Sequence, residues 1–357
     1  MPDISEYVFL DKNKLDFFVS KLNTRQRVVA PVRKGVKSYA FAEVPSAKDI
    51  SWKYIPTILP PKKYFMPQYE TIQKFDKSKR TWETVVSSEP IVILGVHTCD
   101  LAGIEFLNAM MSSAPCDAHY RNRKANITLI GIECLDYCDG SASCAVMKNE
   151  LPHGGYDLFM TEMKQGFISH VGSDRGRNIA SDSRIFTPAK PEHIRELEEL
   201  RARKKDIFKP EINVSHEELK NLFSQSFESN MWREEMEKRC VSCGNCTNVC
   251  PTCYCFDLRD ELDLSLTTGE RQRVWDSCQN ETFAKVASGE NFRKKKGLRQ
   301  RHRYMRKFYY PVEKHGLYGC TGCGRCTRTC MAKISLKETI NKLAEEQQNS
   351  KEPVLNQ

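Results

Sequence analysis

The sequence predicts an α+β protein: an N-terminal α/β domain with a short, partly parallel sheet, followed by a helical domain organised by cysteines. Three observations support this. Two continuous apolar runs, PIVILGV (90–96) and NITLIGI (126–132), bracket a segment of helical character, LAGIEFLNAMM (101–111). A strongly charged helical stretch, PEHIRELEELRARKKD (191–206), follows that region. Finally, the chain carries 16 cysteines, and eight of them form two copies of one spacing in its C-terminal part.

The N-terminus, MPDISEYVFLDKNKLDFF, mixes acids with apolar residues and lacks the layout of a signal peptide. The apolar runs at 90–96 and 126–132 read as buried strands, giving the order strand, helix, strand. YDLFM and GFISHV flank TEMKQG and read as a hairpin. Residues 1–190 are therefore expected to form the N-terminal domain. Residues 191–235 read as a helical linker. Its first helix has a narrow apolar stripe of Ile194, Leu197 and Leu200. A second is opened by a Ser215/Glu218 capping box and carries Leu219, Phe223, Phe227 and Met231 at four-residue steps. Residues 236–345 hold the cysteine repeat, and after Cys330 the stretch AKISLKETINKLAEEQ reads as helical again, with Leu336, Ile340 and Leu343 on one face. Residues 346–357 read as a mobile tail.

Hydrophobic residues make up 40% of the 357, which suits a folded globular protein. The longest apolar runs are far too short to span a bilayer, so a cytoplasmic protein without a membrane span is expected. In a reducing compartment so many cysteines are not expected to pair as disulfides, and thiolates held for metal are the leading explanation. Lys and Arg exceed Asp and Glu by 55 − 46 = +9. Two anionic all-cysteine clusters of about −2 each would lower this to about +5, a charge that favours docking to acidic partners.

The repeat reads CVSCGNCTNVCP from Cys240 and CTGCGRCTRTC from Cys320. C-x2-C-x2-C-x3-C is the arrangement in which three close thiolates wrap one [4Fe–4S] cluster and the fourth reaches a second cluster. Crossed ligation gives one centre from Cys240, Cys243, Cys246 and Cys330, and another from Cys250, Cys320, Cys323 and Cys326. Gly244 and Gly324 hold the same place in each copy, where the backbone must turn tightly. Zinc is the alternative, but zinc sites are normally written as two C-x2-C pairs for each ion. Some seventy helix-prone residues separate the copies, so the helical ferredoxin type fits better than a compact ferredoxin.

The chain resembles a known family. APVRKG, ILPPKKYF, GVHTCDLAGI, GYDLF, CPTCYCF, WDSCQ and GCGRCTRTC, spread over nearly its whole length, are similar to the β subunit of cytosolic sulfhydrogenases, which are nickel–iron hydrogenases. The resemblance to the dicluster iron–sulfur subunit of anaerobic sulfite reductase is looser. The likeness implies an iron–sulfur electron conduit in a hetero-oligomer, between a flavin subunit that handles NAD(P)H and a catalytic oxidoreductase subunit, with ferredoxin as a further partner. Met331 stands where the second motif usually has proline. The sequence agrees by omission: it has no dinucleotide-binding fingerprint after a strand, no covalent haem motif and no evident set of catalytic residues.

Two other functions compete. RKKKGLRQRHRYMRK (293–307), nine of fifteen residues basic and followed by FYY, allows an iron–sulfur protein that binds nucleic acid. As a partner-facing or cluster-covering helix it needs no nucleic acid, and none is expected. An independent enzyme using its extra thiols for redox chemistry is the other. Cys253, Cys255 and Cys278 are expected to be buried thiols lining the cluster pocket, and Trp275 to pack.

A third [4Fe–4S] cluster is expected in the N-terminal domain. If the two apolar strands are parallel, their carboxyl ends share one edge, where open α/β sheets place ligands. One strand runs into Cys99 and the other into Cys134, while Cys138 and Cys144 follow in a loop able to fold back. The family commonly has a C-x-C pair here that this chain lacks, which puts Cys138 in question as a ligand. Cys116 is the substitute ligand, buried free thiols are the alternative, and His97 beside Cys99 reads as a structural histidine.

Overall fold

The computed structural model describes residues 4–351. They fall into two compact units. The first takes the chain up to Met66 with Val86–Gly140 and Asn149–Lys209. The second takes Pro67–Val85, Ser141–Lys148 and the chain from Pro210 on. The strands of the described residues are β1 (Tyr7–Asp11), β2 (Arg27–Gly35), β3 (Ser38–Glu43), β4 (Tyr69–Asp76), β5 (Thr81–Thr84), β6 (Ile91–His97), β7 (Ile127–Ile132), β8 (Leu158–Glu162), β9 (Gly166–Val171), β10 (Phe186–Pro188), β11 (Phe256–Leu262) and β12 (Thr268–Trp275). Among the described residues no helix is long and apolar enough to cross a membrane.

In the first unit eight strands form one mixed sheet in the order β10-β1-β9-β8-β7-β6-β2-β3, larger than the short sheet the sequence predicts. The pairs β2/β6, β6/β7 and β7/β8 are parallel. Every residue of β6 and β7 is buried, which is why both read as unbroken apolar runs: a parallel strand is covered on both faces. The helix Thr98–Ser112 connects them, as expected. The expected hairpin is β8/β9, antiparallel, with Met160 opposite Ser169. Alternation sorts the core into two layers. Leu10 and Phe167 pack with the helix Leu15–Asn23 on one face. Tyr7, Phe9 and Ile168 pack on the other against Ile194 and Leu197 of the helix Pro191–Ile207. That helix therefore belongs to the first unit. Residues 67–85 and 141–148 belong to the second, so the units cut the chain differently from the segments 1–190, 191–235 and 236–345.

The second unit is not wholly helical. An antiparallel sheet, β11-β12-β4-β5, joins residues 69–84 to residues 256–275. The helical part packs Phe223, Trp232, Tyr304 and Phe308 with Leu336, Ile340 and Leu343. Phe223 and Phe308 stack with centroids 4.4 Å apart. Only half of the expected capping box forms: Ser215 N donates to Glu218 Oε2 at 2.9 Å, but Ser215 Oγ donates to the same carboxylate oxygen, and the Glu218 amide donates to the Ser215 carbonyl instead. The helix that follows, Leu219–Gln225, starts after Glu218 and stops short of Met231, and a π-helical turn follows at Met231–Met236. Two serines support the break. The Ser226 carbonyl accepts from the Trp232 indole at 2.7 Å, and Ser229 Oγ accepts from the Met231 amide at 3.0 Å. The expected tail begins as part of the helix Leu336–Lys351, and residues 352–357 of it lie outside the described residues.

Candidate functional site

In the second unit both copies of the repeat fold alike. Gly244 and Gly324 take φ of 75° and 71°, in the left-handed region, and each opens a one-turn helix, Asn245–Asn248 or Arg325–Arg328. A cavity is lined by Cys250 together with Cys320, Cys323 and Cys326, and by Arg303. One thiol of the first motif thus joins three of the second. On the other side, Asn245 Nδ2 donates to the Thr329 carbonyl at 3.1 Å, tying the first motif to the residue before Cys330. Cys240 Sγ accepts from Ser242 N at 3.3 Å and from Gln300 Nε2 at 3.0 Å. Cys330 Sγ accepts from Ile334 N at 3.3 Å. Burial pushes the Cys246 thiol up to about 12 and that of Cys320 up as well, so neither ionises at neutral pH without a cation.

Part of that positive charge comes from the basic run, which forms the helix Lys296–Phe308. Arg299, Arg303, Tyr304 and Phe308 on it are buried. The Arg303 guanidinium faces the sulfurs of Cys246, Cys326 and Cys250, and its Nε has no hydrogen-bond partner among the described residues. Arg299 donates to Ser242 Oγ at 3.0 Å and to two backbone carbonyls. Lys307 Nζ donates to Thr252 Oγ1 at 2.7 Å, beside Cys250. Beyond the repeat, Cys255 is hydrogen-bonded to Cys253 and Cys278; these bonds and burial push its thiol up, while the bond from Cys255 holds Cys278 down.

In the first unit the topology builds a second site. β6 carries a bulge between Leu94 and Val96, where Gly95 takes φ of 78° and a Cβ would meet Pro31 at 3.2 Å. Tyr54 OH donates to the Gly95 carbonyl at 2.7 Å, and the Tyr54 ring stacks on that of His97 with centroids 3.8 Å apart. His97 ends β6 opposite Ile132, the last residue of β7, and Cys134 follows two residues on. Cys138 closes the set, its Sγ 4.0 Å from His97 Nδ1. The ligand atoms of His97, Cys134 and Cys138 all lie within 4.8 Å of one another. The hydrogen bond from Cys138 holds the Cys134 thiol well below its usual range, helped by His97 and Lys204 against burial. A cavity of about 440 Å³ adjoins them, lined among others by Trp52, Tyr54 and Tyr137. Beneath it the buried Glu133 accepts from Thr161 Oγ1 at 2.7 Å, from Lys204 Nζ at 3.0 Å and from Arg201 Nη2 at 3.0 Å.

Of the four thiols expected to share a third cluster, the structure gathers Cys134 and Cys138 and adds His97. Cys99 is buried in the first turn of Thr98–Ser112 and stands outside that group. Cys144 lies in the second unit, where the neighbouring Ser143 N donates to the Gly322 carbonyl at 2.8 Å. Cys116 is exposed and accepts from Arg121 at 3.4 Å. The sequence reading takes His97 as a structural histidine, and the structure sets its ring beside Cys134 and Cys138. The signal for that placement is its position as the last residue of a buried strand whose parallel neighbour runs into a cysteine.

Comparison with known proteins bears on the second unit first. Residues 239–334 match the family described as a 4Fe-4S dicluster domain. The chain is 34% identical over 342 residues to the sulfhydrogenase 2 subunit beta of Pyrococcus furiosus, a match covering 95% of this chain and 98% of that one. No solved structure matches.

Proposed function

The chain belongs to the sulfhydrogenase β-subunit family, and from that premise we propose that it is the iron–sulfur electron-transfer subunit of a cytoplasmic, multi-subunit hydrogenase. In this reading Cys240, Cys243, Cys246 and Cys330 hold one [4Fe–4S] centre, and Cys250, Cys320, Cys323 and Cys326 hold the other. The observation that carries it is the single cavity lined by Cys250 with the three close cysteines of the second motif. The donor set fits: eight thiols, backbone amides aimed at Cys240 and Cys330, and a buried guanidinium with an unsatisfied N–H.

When bound, such clusters supply one-electron storage at potentials set by hydrogen bonds to sulfur, charge and exposure. The chain's own residues set those terms. Gln300 and Ser242 draw charge from Cys240, and Arg303 offsets the negative charge of thiolates from both motifs. The inward-facing Arg299 and Arg303 support a cluster-covering role for the basic helix and do not favour nucleic-acid binding. Membership of that family supports the partners proposed here: a flavin subunit handling NAD(P)H, ferredoxin and a catalytic subunit.

Anaerobically purified chain should contain about eight iron and eight sulfide in the second unit. Reductive titration should show two one-electron centres, and NAD(P)H should be oxidised only after a flavin subunit is added. Rapid NAD(P)H oxidation by the chain alone, without flavin, would defeat the conduit reading.

A further inference from the structure

We propose that His97, Cys134 and Cys138 form a mononuclear site for a soft divalent transition-metal ion, zinc by its donor set, with the fourth position facing the adjoining cavity. Imidazole and thiolate together select zinc among the common divalent ions, and three protein ligands with one open position is a standard zinc arrangement. A tetrahedral zinc with Zn–S of about 2.3 Å and Zn–N of about 2.0 Å puts neighbouring sulfur and nitrogen about 3.6 Å apart. His97 Nδ1 and Cys138 Sγ stand 4.0 Å apart and every ligand–ligand distance is within 4.8 Å, so side-chain movements of no more than about an ångström close the site.

Spacing separates this site from a cluster site. Among the described residues no other set of three or more His, Cys, Asp or Glu ligand atoms gathers within the same 4.8 Å. The eight motif thiols are spread more widely, as ligands at the corners of a cubane must be. Charge agrees as well: two thiolates and a neutral imidazole balance a divalent ion, so no further counter-ion is needed. The nearby cations Arg201 and Lys204 are already paired with Glu133.

The frame is stiff. His97 ends a fully buried strand and is clamped by the Tyr54 ring, and Cys134 follows the adjacent buried strand. The cavity of about 440 Å³ leaves room for a water or a small exchangeable ligand at the open position.

The test uses full-length chain purified anaerobically, with zinc and iron counted per chain by plasma mass spectrometry. One zinc per chain is expected, lost in Cys134→Ser, Cys138→Ser and His97→Gln while iron stays at about eight. Cys99→Ala should retain the zinc. X-ray absorption at the zinc edge should show two sulfurs at about 2.3 Å and nitrogen or oxygen at about 2.0 Å. Should the cysteine variants fail to fold, cobalt(II) uptake decides. The wild-type chain should develop a thiolate-to-cobalt charge-transfer band, and His97→Gln should weaken it. A folded chain that takes up neither zinc nor cobalt would overturn the proposal. So would loss of about four iron in the same variants, which would give these thiols to a third cluster.

Discussion

Cysteines are gathered differently in the two units. In the second, eight thiols come from two short stretches with identical spacing and identical backbone turns, and the local sequence specifies nearly the whole arrangement. In the first, Cys134 and Cys138 meet His97, which lies 37 positions before Cys134, because two parallel strands end side by side. The first arrangement is written in spacing and the second in topology. Spacing is therefore an adequate guide to metal chemistry only where one segment supplies most of the ligands.

The largest test of this contrast is Cys250→Ser. If ligands cross between motifs, iron should fall by about half, and the centre lost should be the one built mainly by the second motif, read by cluster spectroscopy. The metal content of the first unit should not change. Loss of the first-motif centre alone would show that ligands do not cross.

Next in size is Glu133→Gln, which strikes the support of the first unit's site without touching a cysteine. Removing the carboxylate leaves the buried Lys204 with the Glu150 carbonyl but without this opposite charge, at a cost of about 3–5 kcal/mol in chemical denaturation. Burial pushes the Glu133 carboxyl up, yet Lys204 and Arg201 outweigh it and hold it below its ordinary value. Its folded value being depressed, its contribution is present above the ordinary glutamate range and is lost as pH falls through the folded value. The variant should therefore show a flatter acid limb than the parent.

A smaller effect sharpens the likeness of the two motifs. Gly244→Ala and Gly324→Ala each place a side chain in the left-handed region, at about 1–2 kcal/mol. At Gly324 the new Cβ would also lie 2.7 Å from the Ser141 backbone, whereas at Gly244 it meets Ser277 Oγ at 3.2 Å and Ser277 Cβ at 3.3 Å, a milder crowding of a side chain rather than a backbone clash. Gly324→Ala should lose more stability, measured by denaturation of the anaerobic chain; equal losses would mean that the Ser141 segment yields. Smallest is Gln300→Leu, which removes one N–H···S bond to Cys240. One centre should shift to a more negative potential while the other keeps its value, in a spectroelectrochemical titration.

Much of the fold was legible in the sequence, for identifiable reasons. β6, Thr98–Ser112 and β7 announced themselves because buried parallel strands need unbroken apolar runs. The β8/β9 hairpin was marked by its turn. The sheet β11-β12-β4-β5 was not legible. Its pairing spans nearly two hundred residues, and β11 is mostly exposed and polar, so neither periodicity nor proximity reveals it. The helix expected to run through Met231 kept its apolar spacing across a break made by serine and tryptophan hydrogen bonds, which a four-residue rhythm does not record. The burial of Arg299 and Arg303 was hidden for a similar reason: a basic run has no inside until thiols stand against it.

The pairing of His97 with Ile132 also bears on how the protein breathes. Local opening spares the hydrogen-bond ladders in the middle of a sheet, and β6 has a parallel neighbour on either side. His97 therefore takes its position from one of the best-supported ladders of the sheet, and Cys134 follows the end of the adjacent strand by two residues. Cys138 sits in the bend that comes after, so hydrogen exchange should find the amides around it less protected than those of β6.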